Sequence, residues 1–277
     1  CALPIYNRLN LTADAYVRDT KAMQTSGKKL PGAYGANEPK QNAANLRTKG
    51  WELMLTWNDA FKLANKPFRY NLSVGLADNT SEITKFDNPS KILSDYYVGQ
   101  KLGDIWGYVV DGLFRTDEEA ANYNVDQTAV NFVINTAQVN PGLHAGDMKF
   151  VDLDGDHTIS SGSNTADDPG DRKIIGNSLP RYTYSIQGGF DWYGFDFSIY
   201  LQGVGHQDWY PGTNSVFFWG PYARPYSSFI PRDFLSQVWS PENPDAYFPR
   251  PIGYLALGNN RSLGVVNDRY LQNLAYC

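Results

Sequence analysis

The run Val151-Asp-Leu-Asp-Gly-Asp-His-Thr-Ile-Ser160 carries the side chains best suited to hold a metal ion. Oxygen-bearing side chains recur at every second position, which is the spacing of an EF-hand-like loop around Ca²⁺. Two departures weaken the match, because His157 stands where glycine normally makes the bend and Ser163 where a bidentate glutamate is usual. The run therefore allows either a weak structural calcium site or a solvated turn. The predicted calcium ligands are Asp152, Asp154, Asp156, Thr158 and Ser160, with Asp167, Asp168 and Asp171 as further carboxylates.

No set of residues forms a convincing catalytic arrangement. The histidines His144, His157 and His206 are scattered without metal-ligand spacing, and no glycine-rich phosphate loop is present. Adjacent acids such as Asp167 and Asp168 could in principle do the acid-base work of a glycosidase, but in a polar loop such acids are usually only solvated. We therefore predict that the chain is not an enzyme and requires no cofactor.

The segment 204–268 is rich in aromatic residues. Exposed aromatic rings stack on sugars and anchor binding surfaces, whereas rings that pack together form a small core beneath long loops. Both interpretations stay open from the sequence. The candidate substrate contacts are Trp209, Tyr210, Phe218 and Trp219.

The elements that position these residues alternate between apolar and polar side chains. In the segment 181–203, Ile186 and Phe197 fall on an apolar face, while Gln187 and Ser198 fall on a polar one. Such alternation predicts β-strands with one oily and one wet face. The predicted strands lie near 8–18, 50–58, 68–77, 182–192 and 195–203, and another begins near 269–277.

The connections between these strands differ in length in a regular order. Long segments at 19–49, 78–181 and 204–268 alternate with a short link after Trp57 and a tight turn at Tyr193-Gly194. If the strands are antiparallel, all the long connections leave from one end of the sheet. Outer-membrane barrels have this asymmetry, with long extracellular loops and short periplasmic turns.

Alternation alone does not decide whether the apolar face meets lipid or a protein core. Trp51 and Trp57 bracket one strand, and Trp192, Tyr193 and Phe195 crowd one turn, as aromatic girdles of membrane barrels do. The opposite face mixes Asp, Arg, Gln, Asn and Ser, which suits a wet lumen. We therefore predict an all-β fold, a partial antiparallel transmembrane β-barrel that contacts lipid. The alternative is a soluble β-sandwich with an ordinary core.

Composition excludes some classes and marks the first residues as unusual. The 277 residues carry a net charge of -5 and no basic run, which argues against a nucleic-acid partner. No apolar run is long enough for a membrane-spanning helix. Short loop helices are predicted from a capping box at Thr116–Glu119 and from the run Pro231–Trp239.

Residues 1–5 resemble a translated sequencing adapter, and we predict them to be foreign to the protein.

Five runs follow one another in a fixed order: Val98–Phe114 (VGQKLGDIWGYVVDGLF), Asp147–Asp156 (DMKFVDLDGD), Asp171–Tyr184 (DRKIIGNSLPRYTY), Gln202–Gly205 and Arg269–Asn273. Together they resemble motifs of the SusC/RagA family of TonB-dependent outer-membrane transporters. The resemblance covers nearly all of the chain after Ile5. His157 departs from the pattern, which commonly has glycine there, and this counts against the calcium site.

The resemblance implies more than the residue pattern does. Such transporters are barrels of about 22 strands with an N-terminal plug, located in the cell outer membrane. They import oligosaccharides or peptides on energy delivered by the TonB complex, and a SusD-like surface lipoprotein closes over their loops. Residues 6–277 would then be part of the barrel. The alternative function is a non-transporting β-rich surface adhesin or a soluble carbohydrate-binding sandwich.

Overall fold

The computed structural model describes residues 2–5, 8–26, 35, 39–130, 142–212, 215–222, 230–251 and 263–277. The chain forms two compact units, the first made of 1–103, 177–208 and 273–277, and the second of 104–176 and 209–272. The strands are β1 (Ala2–Ile5), β2 (Leu9–Ser26), β3 (Lys40–Leu63), β4 (Lys66–Lys85), β5 (Asp104–Tyr108), β6 (Val110–Leu113), β7 (Met148–Phe150), β8 (Arg172–Asn177), β9 (Arg181–Trp192), β10 (Phe195–His206), β11 (Asp208–Trp209) and β12 (Gln272–Asn273). The helices are α1 (Asp117–Ala121), α2 (Val216–Trp219) and α3 (Phe234–Gln237), and a short 3-10 turn covers Gly220–Tyr222.

The first unit is a six-stranded antiparallel sheet in the order β1-β2-β3-β4-β9-β10. Strand β9 pairs directly with β4, so the long segment between them leaves the sheet and returns at the neighbouring position. The register aligns apolar residues with apolar ones across the sheet. One such row consists of Leu11, Leu55, Val74, Ile186 and Leu201.

Two tight turns close the hairpins at one end of the sheet. Ala64 and Asn65 link β3 to β4, and Tyr193 and Gly194 link β9 to β10; all four have positive φ. Two consecutive positive φ values give the type I′ geometry, whose twist matches that of the flanking strands. The longer connections leave from the opposite end of the sheet, as the order of long and short segments predicts.

Strands β2, β3 and β4 are longer than the sequence pattern predicts. They contain 18, 24 and 20 residues, so strand pairing continues into the predicted loop 19–49 and into the start of 78–181. The apolar alternation ends near Val17 and Trp51, but the backbone ladder continues between polar side chains. There Arg47 donates from Nε to Asp19 Oδ1 at 2.7 Å. Backbone pairing does not require an apolar face, so hydrophobic alternation underestimates these strands.

The two ends of the chain also take part in pairing. Strand β1, within the five residues predicted to be foreign, pairs antiparallel with Leu9–Thr12. Near the other end, where a further strand is predicted to begin at 269–277, Tyr276 exchanges two backbone hydrogen bonds with Val204 at 3.0 and 3.1 Å. The tight contact of Tyr276 with Gly203 leaves no room for a side chain at that glycine.

The second unit is built from two segments that are distant in sequence but share one hydrophobic core. Strands β6 and β7 pair antiparallel in the first segment, and α2 and α3 lie in the second. Both segments contribute aromatic side chains that are at most 9% exposed. The core residues are Tyr108, Leu113, Val130, Met148, Phe150, Ile159, Trp219, Tyr222, Phe234, Val238, Phe248, Leu263 and Tyr270.

Both predicted loop helices are present. Helix α1 is capped by Thr116, whose hydroxyl accepts the Glu119 N–H at 3.1 Å, as the capping box predicts. Helix α3 covers only Phe234–Gln237 of the predicted Pro231–Trp239, because Trp239 leaves the helix to donate its N–H to Phe248 O. No helix in the described ranges is long and apolar enough to cross a membrane.

Candidate functional site

The apolar face of the six-stranded sheet is left uncovered by the described part of the chain. Leu53, Leu55, Leu72, Phe197 and Ile199 keep 39 to 51% of their surface exposed. In the core of a soluble sandwich such side chains would be almost fully buried. A contiguous apolar surface of this kind calls for a non-aqueous neighbour.

Aromatic rings form a band on this face at the end with the tight turns. Phe68, Phe190 and Phe197 stack in sequence across β4, β9 and β10, with ring centroids 5.3 Å apart at each step. Lys66 places its ammonium group 5.1 Å from the ring centroid of Tyr193. Rings with a basic neighbour at the edge of an apolar face are typical of a membrane-water interface.

The opposite face of the same strands is polar. The row adjacent to the apolar one holds Thr12, Met54, Gly75, Ser185 and Gln202. These residues line an open recess of about 590 Å³, and a second recess of about 810 Å³ lies on the same face nearer the turns. Hence the sheet has one apolar face and one polar face that carries two open recesses. These features define the class of protein, a strip of antiparallel transmembrane β-barrel with a polar interior.

The four predicted aromatic contacts lie in different environments within the second unit. Trp209 is 41% exposed, whereas Trp219 is fully buried. The Trp219 ring packs edge-on against Tyr270 at 5.1 Å, and its Nε1 donates to Gly212 O at 3.1 Å. Phe218 packs against the same core, with its ring 5.8 Å from that of Phe248. In this arrangement Trp209 presents a free ring, and Phe218 and Trp219 hold the loops together.

Tyr210 is anchored by its hydroxyl group. It donates to Val265 O at 2.9 Å and accepts from Asn267 Nδ2 at 3.0 Å. Burial raises the pKa of Tyr210 far above its ordinary value. Asn267 is itself fully buried and also accepts the Tyr270 N–H on its side-chain oxygen. The hydroxyl of Tyr210 is therefore committed to the fold of the loop.

A buried ion pair that sequence reasoning missed joins the two segments of the second unit. Asp147 is 3% exposed and accepts from Arg250 Nε at 2.6 Å and from Arg250 Nη2 at 3.1 Å. The same carboxylate accepts the His144 N–H. The partners lie 103 residues apart, so no local pattern indicates the pair. A bidentate pair of this kind fixes the geometry of both segments.

The acidic loop brings together three of its five predicted calcium ligands. One carboxylate oxygen from each of Asp152, Asp154 and Asp156 lies within 4.8 Å of the others. Thr158 and Ser160 follow in the same loop, where the Thr158 N–H donates to Asp156 and the Ser160 hydroxyl accepts the Gly162 N–H. The three carboxylates form an oxygen-only cluster whose chemistry suits a hard cation.

The cluster is shaped by turns and by one buried carboxylate behind it. Asp171 is fully buried and accepts N–H groups from Leu153 and Ser160, both at 2.7 Å, which closes the two ends of the loop. His157 adopts a positive φ of 64°, the conformation that glycine usually supplies at this position. The loop therefore bends as an EF-hand-like loop does, although His157 is strained in that conformation.

Charge crowding shows in the proton affinity of one member of the cluster. The Asp156 N–H bond lowers the pKa of Asp154, but desolvation and the neighbouring charges of Asp171, Asp156 and Asp152 oppose it, and the balance raises that pKa. Asp152 behaves in the opposite way, since N–H groups of His157 and Gly155 outweigh desolvation and lower its pKa. A cation would relieve the repulsion at Asp154.

The chain is similar in sequence to TonB-dependent receptors. It is similar to three such receptors of Formosa agariphila, with 27% identity over 215 residues in one, 23% over 209 in another and 23% over 254 in the third. The alignments cover 69, 71 and 86% of this chain but only 20, 18 and 22% of those receptors. The chain therefore spans about a fifth of the length of the relatives it matches. No family model matches it.

Solved structures of a peptide transporter are similar to this chain in fold. The RagAB peptide transporter matches 97% of this chain with a TM-score of 0.60 and 16% identity. The RagAB peptide importer in its closed-closed state matches 99% with a TM-score of 0.58, and each match covers 26% of the known chain. At this identity the likeness concerns the fold. Together with the receptor relatives and the motifs, the fold supports a SusC/RagA-like TonB-dependent receptor of the outer membrane, to part of which this chain is similar.

Proposed function

We propose that the chain is part of a TonB-dependent importer that carries oligosaccharides or other nutrients, peptides included, across the outer membrane. The observation that carries this proposal is the two-faced sheet, with exposed Leu and Phe side chains outside and a polar concave surface inside. A barrel wall needs both faces at once, one toward lipid and one toward a wet passage. The relatives are receptors by description, which accords with a protein that is not an enzyme.

The alternative of a soluble sandwich or adhesin receives less support. Such a fold would pack its apolar face against a second layer, yet Leu72 and Ile199 are 45 and 44% exposed in the described structure. The buried core lies in the second unit and is made by loop segments. The loops therefore fold around their own core, and the sheet is left to meet lipid.

The proposal includes two partners that follow from the family resemblance. The TonB complex would act through a part of the receptor outside this chain, and a SusD-like surface lipoprotein would close over the extracellular loops. The second unit supplies those loops, and its candidate contact with substrate is the exposed ring of Trp209. Tyr210, Phe218 and Trp219 would support that surface from beneath.

Transport is tested by uptake in cells that carry the full-length receptor. Cells are given, separately, fluorescent neutral oligosaccharides and fluorescent peptides, and internal label is measured with TonB present, with TonB deleted and with the proposed SusD-like lipoprotein removed. The proposal expects uptake of one nutrient class to fall to background without TonB and to decrease without the lipoprotein. Uptake that persists unchanged without TonB, or no uptake of either class, would contradict it.

A further inference from the structure

The tight turn between β3 and β4 carries two exposed lysines and no acid. It runs Lys62-Leu-Ala-Asn-Lys66, and Leu63 pairs with Lys66 across the hairpin, as Phe61 does with Phe68. Side chains two residues apart in a strand share a face of the sheet. Lys66 therefore lies on the apolar face together with Phe68, one step nearer the end of the sheet, whereas Lys62 lies on the polar face.

The last complete row of the apolar face, next to Lys66, is made only of aromatic residues. The row consists of Phe61, Phe68, Trp192 and Phe195, which stand side by side across β3, β4, β9 and β10. Phe61 and Phe195 are 50 and 71% exposed, so their rings meet whatever surrounds the sheet. If that neighbour is lipid, acyl chains lie against these rings and lipid headgroups lie at the level of the turns.

The neighbouring turn brings a hydroxyl group to the same corner. Tyr193 is 66% exposed, and the Lys66 ammonium lies 5.1 Å from its ring centroid. Trp192 ties the two turns together, because its Nε1 donates to Leu63 O at 3.3 Å. That bond uses the single polar hydrogen of the indole. The Lys66 ammonium and the Tyr193 hydroxyl donate no hydrogen bond to the residues that the structure describes, and we call these two groups the headgroup corner.

The charge of Lys66 is left uncompensated by the described part of the chain. Asp191 lies on the polar face, where Arg69 Nη1 approaches its Oδ2 at 3.6 Å. Asp59 is approached by Arg8 Nε at 3.3 Å. The acids at this end of the sheet thus have arginine partners, and an ammonium without a carboxylate remains beside exposed aromatic rings. Such a place attracts an anion whose other end is apolar.

We propose that the headgroup corner binds an anionic phospholipid of the leaflet that surrounds the tight turns. The phosphodiester accepts hydrogen bonds from the Lys66 ammonium and the Tyr193 hydroxyl, and the acyl chains lie along the rings of Phe61 and Phe195. A zwitterionic lipid carries its own cation beside the phosphate, so Lys66 adds less to its binding. This inference rests on the lipid-facing wall of the proposed importer and adds a lipid ligand to it.

The test uses the full-length receptor in lipid nanodiscs that contain a photoactivatable probe at subsaturating concentration. The probe is phosphatidylglycerol or, in a parallel sample, phosphatidylcholine with the same reactive group near the phosphate, and mass spectrometry maps the labelled peptides. We expect phosphatidylglycerol to label residues 61–68 and 192–195 in preference to phosphatidylcholine. Unlabelled phosphatidylglycerol should compete with this labelling, and inorganic phosphate should not.

Two variants and a matched control measure what each group contributes. Lys66→Gln should reduce labelling by phosphatidylglycerol at the turns about fivefold, the effect of one lysine near a charged membrane surface. Tyr193→Phe should reduce it about threefold, because one hydrogen bond is lost. Lys85→Gln should leave it unchanged; Lys66 and Lys85 are the first and last residues of β4, and both are exposed.

Each other outcome decides against the lipid site. Equal labelling by the two lipids, labelling that Lys66→Gln leaves unchanged, or no labelling at the turns would overturn it. Loss of labelling on addition of inorganic phosphate would assign the corner to the free ion and would also overturn it. TonB-dependent uptake that continues under any of these results would leave the import function standing. Unchanged proteolysis patterns in the variants show that a loss of labelling is not a loss of folding.

Discussion

At the scale of single residues, the acidic loop combines a strained bend with a fixed frame. His157 holds a positive φ that costs a residue with a side chain about 1–2 kcal/mol relative to the ordinary helical region. Asp171 supports the loop from below by accepting two backbone N–H groups. The carboxylates of Asp152, Asp154 and Asp156 are thereby held close together at the surface. The turn and its support by Asp171 are therefore present although His157 stands where the SusC/RagA pattern commonly has glycine.

We predict that Ca²⁺ protects this loop in the full-length receptor. Addition of Ca²⁺ should slow proteolysis within residues 152–171, because the cation neutralises carboxylates whose mutual repulsion raises the pKa of Asp154. Asp154→Asn should remove most of the protection, and His157→Gly should strengthen it by relieving the bend. Since protons compete for Asp154, protection should also fade on acidification earlier than for a site of ordinary aspartates.

Limited proteolysis with mass spectrometry, run with Ca²⁺ and with a chelator, measures this effect. Glu242→Gln serves as the control, because this exposed acid lies outside the acidic loop. Equal cleavage with and without Ca²⁺ in the unmodified receptor would show that the run is a solvated turn, the other interpretation of the sequence.

At the scale of elements, the loop segments form a core of their own from aromatic residues. Tyr222, Phe234 and Phe248 pack together with centroid distances of 6.0 to 6.1 Å. The ion pair between Asp147 and Arg250 ties the two segments at the edge of this core. Long loops that fold in this way can present a defined surface to a ligand, because their side chains are held from beneath.

The loop core should lose stability in alkali in a single step. Burial raises the pKa of Tyr210, Tyr222 and Tyr270 above the value of about 10 that an unfolded chain shows. Their stabilising contribution is therefore complete below that pH and declines above it, since only the unfolded chain then gives up the protons. Above the gradual ionisation of exposed phenols, a further cooperative rise in phenolate absorbance should coincide with the onset of loop proteolysis.

The variant Tyr222→Phe removes one of these phenols and its hydrogen bond to Pro249 O. It should reduce the amplitude of that transition by one phenolate. Gradual ionisation of all three tyrosines from about pH 10 with intact loops would show that the rings are accessible to water, against the buried core described above.

Sequence reasoning predicted the sheet better than the loops, for a physical reason. Alternation records which face of a strand is polar, so it assigns Ile186 and Gln187 to opposite faces without knowledge of the register. Loop packing depends on contacts between distant segments, such as Trp219 with Tyr270, and leaves no periodic trace. The fate of each candidate ring was therefore open, and so was the pair of Asp147 with Arg250. Strand ends were underestimated where polar pairs continue the ladder.

At the scale of the whole molecule, the account depends on what surrounds the sheet. The chain spans about a fifth of its receptor relatives, and its six strands form an open sheet within the described residues. In the receptor this sheet would be one part of a barrel wall, with lipid on the apolar side and the passage on the other. Every functional proposal above requires that the apolar face contacts lipid and that the polar face lines the passage.

The assignment is tested most directly by two neighbouring positions on β3. Leu53 and Met54 are 39 and 46% exposed, but they lie on opposite faces of the strand. Each is changed to cysteine in a full-length receptor freed of other reactive cysteines, labelled with an environment-sensitive fluorophore and reconstituted with lipids brominated in their acyl chains. The account predicts strong quenching for Leu53→Cys and little for Met54→Cys. Equal quenching at both positions, or quenching at Met54→Cys alone, would contradict the barrel assignment.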